Sequence, residues 1–180
     1  MSDRYEYYTS GMDASWMIHG VNWSGQTFTP QIRHKITSVK IRICRTVWPG
    51  TLTVSIKATD GEGKPTGADL CSGTISANTL IVCGDSDYYE ITLGAGCNLE
   101  VDTLYAIVVR ALTGNGSNFV RWLKDSSYAT YTRGVNVISD DSGVTWYPSA
   151  NQDFMFEEWG EPPSVVHELI VTDGVALTDT

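Results

Sequence analysis

The sequence predicts an all-β fold, a β-sandwich of two antiparallel sheets with extended terminal segments. Short runs of alternating apolar and polar residues recur along the 180-residue chain, and clusters of Gly, Pro, Asp and Ser separate them. No long stretch shows a convincing helical period. The spacing of the runs and the density of turn residues between them are typical of a sandwich.

Two strands are predicted at residues 39–44 and 51–59, where apolar and polar residues alternate. Successive side chains of a strand point to opposite faces, so each run indicates a half-buried strand with one wet face. Trp48-Pro49-Gly50 lies between the runs and has the composition of a turn. The sequence therefore predicts that these two strands pair as a hairpin.

Later runs predict the remaining strands of the sandwich. The run at 104–112 is apolar on both faces, which predicts a central strand. Residues 60–67 contain three glycines and a proline and are predicted to form a loop. The other predicted strands are 70–75, 88–93, 119–123, 135–139 and 154–159.

The domain prediction has three parts. Residues 25–160 are assigned to the sandwich, 1–24 to an N-terminal arm and 161–180 to a C-terminal tail. Asp173-Gly174 in the tail is a favoured two-residue hairpin turn. Either terminal segment could exchange a strand with another copy or with a coat protein; the alternative is a linker or a frayed end.

Composition and charge exclude several classes of function. The length fits one domain of ordinary size. The formal net charge is -9 with no basic cluster, so binding of nucleic acid through its phosphates is disfavoured. No apolar run is long enough for membrane insertion. The polar N-terminus lacks a secretion signal, which predicts either synthesis without Sec export or a start at an internal domain boundary.

The four cysteines, Cys44, Cys71, Cys83 and Cys97, permit three complete pairings. They form no CxxC unit and the chain has three His, so no zinc site is expected. Free thiols and one or two disulfides both remain open. No cofactor is predicted, although acidic loops such as 60–62 and 85–87 would be compatible with a structural calcium ion.

One turn motif stands out: Ser139, Asp141, Gly143, Thr145 and Trp146 fit the Asp-box pattern Ser-x-Asp-x-Gly-x-Thr-Trp. Such boxes are best known from sialidases and similar propeller glycosidases, in which several copies recur. Here it occurs once. The motif combines an Asp that can accept backbone N–H groups, a Gly suited to a positive-φ position and an aromatic that packs under the turn. It therefore predicts a structural turn and supplies no active site.

Short segments that occur in order along the chain carry a resemblance to a known family: 26–30, 36–39, 50–54, 63–67, 70–74, 105–108, 139–146 and 153–156. The chain resembles a jelly-roll β-sandwich domain, similar in shape to carbohydrate-binding modules, of bacterial surface, secreted and phage-encoded proteins. The resemblance covers roughly residues 26–160 and implies a jelly-roll topology and a non-catalytic module.

The arrangement of the acidic residues in the sequence predicts that the protein is not an enzyme. A glycosidase needs two carboxyl groups that face one cleft about 5–10 Å apart. Asp140 and Asp141 are adjacent in a turn, and Glu157 and Glu158 point to opposite faces of a strand. The arginines are scattered along the strands and do not form the cluster that a sialic acid carboxylate would require.

Aromatic side chains are the better candidates for a binding site, because their faces stack on the CH groups of sugar rings. Trp48 lies at the predicted hairpin tip and Trp122 on a strand, and Tyr128 and Tyr131 flank a predicted loop. These four residues are the predicted glycan-binding residues.

The expected function is a non-catalytic structural or adhesive module on the exterior of a virion, as a decoration or fibre-associated protein, or of another extracellular assembly. In that case it would assemble through its terminal strands. The alternative is a carbohydrate-binding module excised from a larger secreted enzyme or adhesin. Both hypotheses place the protein on a virion surface or outside the cell.

Overall fold

The computed structural model describes residues 2–163. None of these residues forms a helix long and apolar enough to cross a membrane. The regular elements, apart from a 3-10 turn at Ala77–Thr79, are the strands β1 (Asp3–Tyr8), β2 (Ala14–Ile18), β3 (Trp23–Phe28), β4 (His34–Thr46), β5 (Thr51–Thr59), β6 (Pro65–Ser76), β7 (Asp87–Leu99), β8 (Tyr105–Arg110), β9 (Phe119–Asp125), β10 (Asn136–Ser139), β11 (Tyr147–Ser149), β12 (Asp153–Phe154) and β13 (Phe156–Glu161).

These strands form two antiparallel sheets, which confirms the predicted all-β sandwich. The first sheet is built on the long strand β4, which pairs with β7 along one side and with β13 and β9 in succession along the other. β1 pairs with β13, and β2 and β12 pair with β9. The second sheet has the order β11-β10-β3-β8-β5-β6. The chain crosses between the sheets at most of its connections from β3 to β10, as the jelly-roll prediction requires.

The predicted hairpin between residues 39–44 and 51–59 is wrong. β4 and β5 lie in opposite sheets, because both sides of β4 are occupied by other strands. The intervening segment carries the chain across the sandwich. Gly50 has φ 84°, its N–H donates to Asn78 Oδ1 at 2.8 Å, and its carbonyl accepts from Ala77 N at 2.8 Å. Alternation predicted two strands correctly but carried no information on which strand pairs with which.

The segment 1–24, expected as an N-terminal arm, supplies β1 and β2 to the outer edge of the first sheet. β3 already begins at Trp23. At the other end β13 extends to Glu161. The expected C-terminal tail, including the hairpin turn at Asp173-Gly174, lies outside the described residues apart from its first three positions.

The core lies between the two sheets. β8 is buried from Tyr105 to Val109 and runs between β3 and β5, so the predicted central strand is confirmed. Burying an aliphatic or aromatic side chain of this size contributes about 1.5–3 kcal/mol relative to leaving it exposed. The largest fully buried side chains are Trp122, Phe28, Phe154, Phe156, Ile18, Ile36, Ile41, Ile43, Leu52, Ile56, Ile91 and Leu93.

All four cysteines form disulfides. Cys71 of β6 bonds to Cys97 of β7 and joins the edges of the two sheets on one side of the sandwich. Cys44 of β4 bonds to Cys83 in the segment that follows the 3-10 turn. Loops of this length make each bond worth about 2–4 kcal/mol to the folded state. The sandwich therefore has one side that is covalently closed and one that is not.

A buried ion pair attaches β1 to the first sheet. His34 Nε2 lies 2.6 Å from Glu158 Oε1, and both side chains are fully buried. The other ring nitrogen, Nδ1, donates to the carbonyl of Ile32 at 2.7 Å. Tyr5 of β1 stacks on the imidazole at 3.7 Å, and Glu6 N donates to Glu158 Oε2 at 3.4 Å.

The pair retains a proton more strongly than the same groups do in the unfolded chain. Burial by itself lowers the pKa of His34, but the hydrogen bond that its ring donates to Glu158 and the negative charge of Glu158 outweigh that effect, so the pKa is raised above 6.5. Burial raises the pKa of Glu158 above 4.5, despite the opposing effect of His34. Both directions mean that the folded state binds more protons than the unfolded state in this range.

We therefore predict that the free energy of unfolding falls as the pH rises above 6.5. The contribution of His34 is fully present below the pKa of the unfolded residue and is lost as the pH passes through the raised pKa of the folded one. A tenfold difference in proton affinity between the two states is worth about 1.4 kcal/mol. Urea denaturation of the wild type and of His34→Gln at pH 6.5, 7.5 and 8.5 measures this loss. An equal pH dependence in both proteins would contradict the prediction.

Candidate functional site

The open side of the sandwich contains a cleft of about 280 Å³ between the two sheets. β2 and β9 of the first sheet form one wall, and β10, β11 and the segment after β11 form the other. We call it the edge cleft. The residues that line it are Trp16, Lys124, Asn136, Ile138, Tyr147, Pro148, Ser149 and Gln152.

Two aromatic side chains enter the edge cleft from different sheets. Trp16 is directly opposite Trp122 in the pairing of β2 with β9, so it faces the inside of the sandwich as Trp122 does. Tyr147 is opposite Ile138 in the pairing of β11 with β10. Both aromatics belong to edge strands, and they remain 39% and 51% exposed. The cleft thus offers two apolar ring surfaces to a ligand.

The floor of the edge cleft is polar. Gln152 Oε1 accepts hydrogen bonds from the Lys124 ammonium and from Asn136 Nδ2, the latter at 3.3 Å. The backbone N–H of Asn136 donates to the carbonyl of Gln152 at 3.0 Å and fixes the segment that carries this side chain. Hydrogen-bonding groups are therefore held in place between the two aromatic walls, as is usual for sites that recognise small polar ligands.

Lys124 has an unusual environment. It is only 7% exposed, its ammonium lies 5.3 Å from the centre of the Trp16 ring, and burial lowers its pKa. No carboxylate among residues 2–163 forms an ion pair with it. Asp13 acts on its charge only from a distance, and the Asp13 carboxylate already accepts hydrogen bonds from Ser126.

Two of the four predicted glycan-binding residues are not available to a ligand in the way expected. Trp122 is fully buried, stacks on Phe154 at 4.3 Å and donates its indole N–H to the carbonyl of Met155 at 2.9 Å. Tyr131 is half-buried against Phe156, and its hydroxyl donates to Glu6 Oε2 at 2.8 Å. Trp122 occupies an inward position of β9, which corrects its expected role as a surface platform.

Trp48 and Tyr128 are exposed, at 62% and 86%, but neither lines the edge cleft. The Arg45 guanidinium lies over the Trp48 ring at 4.6 Å. Sequence reasoning missed Trp16 and Tyr147. Trp16 fell within the segment set aside as an arm, although the alternation of Ala14–Ile18 placed it on the same face as the apolar Ile18.

The Ser139–Trp146 turn connects β10 to β11 and leads directly into Tyr147. Asp141 Oδ1 accepts from Ser139 Oγ at 2.8 Å and from the backbone N–H groups of Val144 at 3.1 Å and Thr145 at 2.8 Å. These bonds, above all that from Thr145, lower the pKa of Asp141. Trp146 is buried on the outer side of the second sheet with Ala106, Val108 and Val137. The turn therefore positions one wall of the edge cleft.

A larger cavity of about 550 Å³ lies on the other side of this turn, next to Trp23. Its three cationic side chains are already paired within the protein. Arg110 and Lys57 both bind Asp69, and Lys64 binds Glu62 at 2.6 Å. Because these charges are compensated, the edge cleft is the stronger candidate for a ligand site.

The paired carboxylates lie apart, as strand alternation predicts. Glu158 is buried with His34, whereas Glu157 binds Arg4 at 3.0 Å and Trp159 at 2.8 Å. No group of three or more His, Cys, Asp or Glu side chains in residues 2–163 is arranged to hold a metal ion. In the loop considered for calcium, Asp60 instead accepts the backbone N–H groups of Glu62 and Lys64, both at 2.9 Å.

Gly143→Ala should destabilise the protein by about 1–3 kcal/mol, the cost of holding a non-glycine residue in a disfavoured backbone region. Gly143 has φ 81°, and an added Cβ would lie 2.8 Å from two ring atoms of Trp23. Gly116→Ala is the matched control, because a Cβ there meets nothing within 4 Å. Urea denaturation of both variants measures the difference, and equal stabilities would contradict the strain at Gly143.

Comparison with known proteins gave no match to any protein-family model, and the curated proteins gave no match either. An inference about function therefore rests on the geometry of the edge cleft.

Proposed function

We propose that the protein is a non-catalytic β-sandwich module that binds a glycan in the edge cleft and acts as an adhesive component outside the cell or on a virion. The observation that carries this proposal is the pair of exposed aromatics, Trp16 and Tyr147, on opposite walls of one cleft above a polar floor. Sugar rings have apolar CH faces and polar edges, and this arrangement complements both.

The size of the edge cleft indicates what it would bind. About 280 Å³ is at the lower end of the range of small-molecule sites, which is about 300–1,000 Å³. A cleft of this size suits the terminal residues of a glycan better than a long stretch of polysaccharide. Lys124, Asn136 and Gln152 would bind ring hydroxyl groups while the aromatics cover the ring faces.

The disulfides support a location outside the cell. Disulfides form and persist in oxidising compartments and are rare in the cytosol of most organisms. Both pairs in this chain join segments of the sandwich itself, Cys44 to Cys83 and Cys71 to Cys97. An extracellular or virion-surface setting is also the one in which glycan ligands are available.

A glycan array followed by calorimetric titration of the best ligand tests the proposal. Trp16→Ala and Tyr147→Ala should each weaken binding by about tenfold or more, since loss of a well-packed aromatic contact costs about 1.4 kcal/mol. Trp48→Ala is the matched control, because Trp48 is more exposed than either but lies outside the cleft. An array without signal, or a loss of affinity in Trp48→Ala alone, would overturn the proposal.

A second candidate function is a structural role in a virion or other extracellular assembly, as a decoration or fibre-associated protein. It is supported by the outer edge of the first sheet, which β1 and β2 form together. A strand from another copy or from a coat protein could extend the sheet there by β-augmentation.

Light scattering coupled to size-exclusion chromatography tests the structural role. Self-association should appear as dimers or larger species that dissociate when a proline replaces Ser15 in β2, because proline cannot donate a ladder hydrogen bond. Gly61→Pro, in an exposed loop, is the control for a general effect of proline. A protein that stays monomeric at all concentrations would contradict self-association through the edge formed by β1 and β2.

A further inference from the structure

The edge cleft contains a cation, Lys124, that forms no ion pair with a carboxylate among residues 2–163. We infer that the ligand of the edge cleft is an acidic saccharide, such as one with a uronic acid, whose carboxylate pairs with Lys124. This inference rests on the proposed glycan-binding function and specifies the class of glycan. It is carried by the burial of Lys124, the absence of an ion pair within residues 2–163 and the position of its ammonium in the cleft.

Burial of a charged ammonium group is costly unless an opposite charge or several hydrogen bonds compensate it. Lys124 has three N–H donors, and among the described residues one protein acceptor, Gln152 Oε1, binds them. Lys124 lines the cleft together with Trp16 and Tyr147, and its ammonium lies 5.3 Å from the centre of the Trp16 ring. A carboxylate in the cleft would supply both the missing charge and further acceptor oxygens.

Three other covered cationic side chains of the sandwich are paired with carboxylates. Arg110 and Lys57 are also largely covered, and they share the carboxylate of Asp69. Arg133 lies 3.6 Å from both Glu6 and Asp102. These covered cations each have a carboxylate partner, whereas Lys124, which is only 7% exposed, has none among residues 2–163.

The net charge of -9 does not oppose this pairing at short range. Fields from distant surface carboxylates are screened over about 10 Å at 0.1 M salt, whereas a contact inside a cleft is screened much less. The local charge that a ligand meets is therefore that of Lys124, since the remaining cleft residues are uncharged.

The occupant is a saccharide and not an acidic peptide because of the two aromatic walls. A single carboxylate side chain would satisfy Lys124 and leave the faces of Trp16 and Tyr147 uncovered. A pyranose ring that bears a carboxylate covers an aromatic face and reaches the ammonium with the same residue. Asn136 and Gln152 then bind its hydroxyl groups.

The test is calorimetric titration with two matched probes, an oligogalacturonide and its methyl ester, which differ in charge and share the same sugar ring. The wild type should bind the acid at least tenfold more tightly than the ester. Lys124→Gln should reduce this ratio to near one, because it keeps a hydrogen-bonding group and removes the charge. Lys40→Gln is the control, since it removes one positive charge from the outer face of β4, away from the cleft.

The possible results distinguish the preference for an acidic saccharide from glycan binding in general. Equal affinity of the wild type for acid and ester, or a ratio unchanged in Lys124→Gln, overturns the acidic-saccharide assignment and leaves glycan binding intact. If an acidic peptide with no sugar competes as well as the oligogalacturonide, the saccharide assignment is overturned. If no glycan of any charge binds the wild type, the proposed function itself fails. Urea denaturation of Lys124→Gln verifies that the variant is folded, so that a lost ratio reports on the ligand.

Discussion

The buried stack of Trp122 on Phe154 is the interaction on which the open side of this sandwich depends. Trp122 comes from the middle of β9, and Phe154 from the short strand β12 that pairs with the end of β9. The indole N–H reaches the carbonyl of Met155, between β12 and β13. One side chain thus ties β9 to the segment that returns to β4, and it does so without leaving a polar group unpaired.

The edge cleft is a consequence of that anchor. Because Trp122 faces inward, strand alternation places Lys124 on the same inner face, and cross-strand pairing places Trp16 beside it. The second sheet ends at β11, whose Tyr147 faces the same space. At the centre of the sandwich these positions would be core. At its edge they have no layer to cover them, so they line a cleft.

The two sides of the sandwich differ in how the gap between the sheets is closed. On one side Cys71 and Cys97 join β6 to β7 and close the gap between the sheets. On the other, polar side chains take the place of apolar ones along the gap, among them Gln26, Asn136 and Asp153. Burial raises the pKa of Asp153 to about 6, and its carboxylate accepts from Gln26 Nε2 at 2.8 Å. Such a buried polar cluster stabilises less than an apolar core would, which is typical of positions that serve a ligand.

The sequence by itself determined the class of fold and the location of most strands, because a period of two and the turn residues between runs are local properties of the chain. It also determined the turn at Ser139–Trp146, because the hydrogen bonds that hold this turn join residues only a few positions apart. Only the tertiary structure decided which strands pair, as β4 and β5 show by lying in opposite sheets. It also decided which tryptophan meets solvent. Trp16 and Trp122 are directly opposite in the sheet and equally apolar, yet one is on an edge strand and the other is covered on both sides. Exposure depends on that position, which no local pattern encodes.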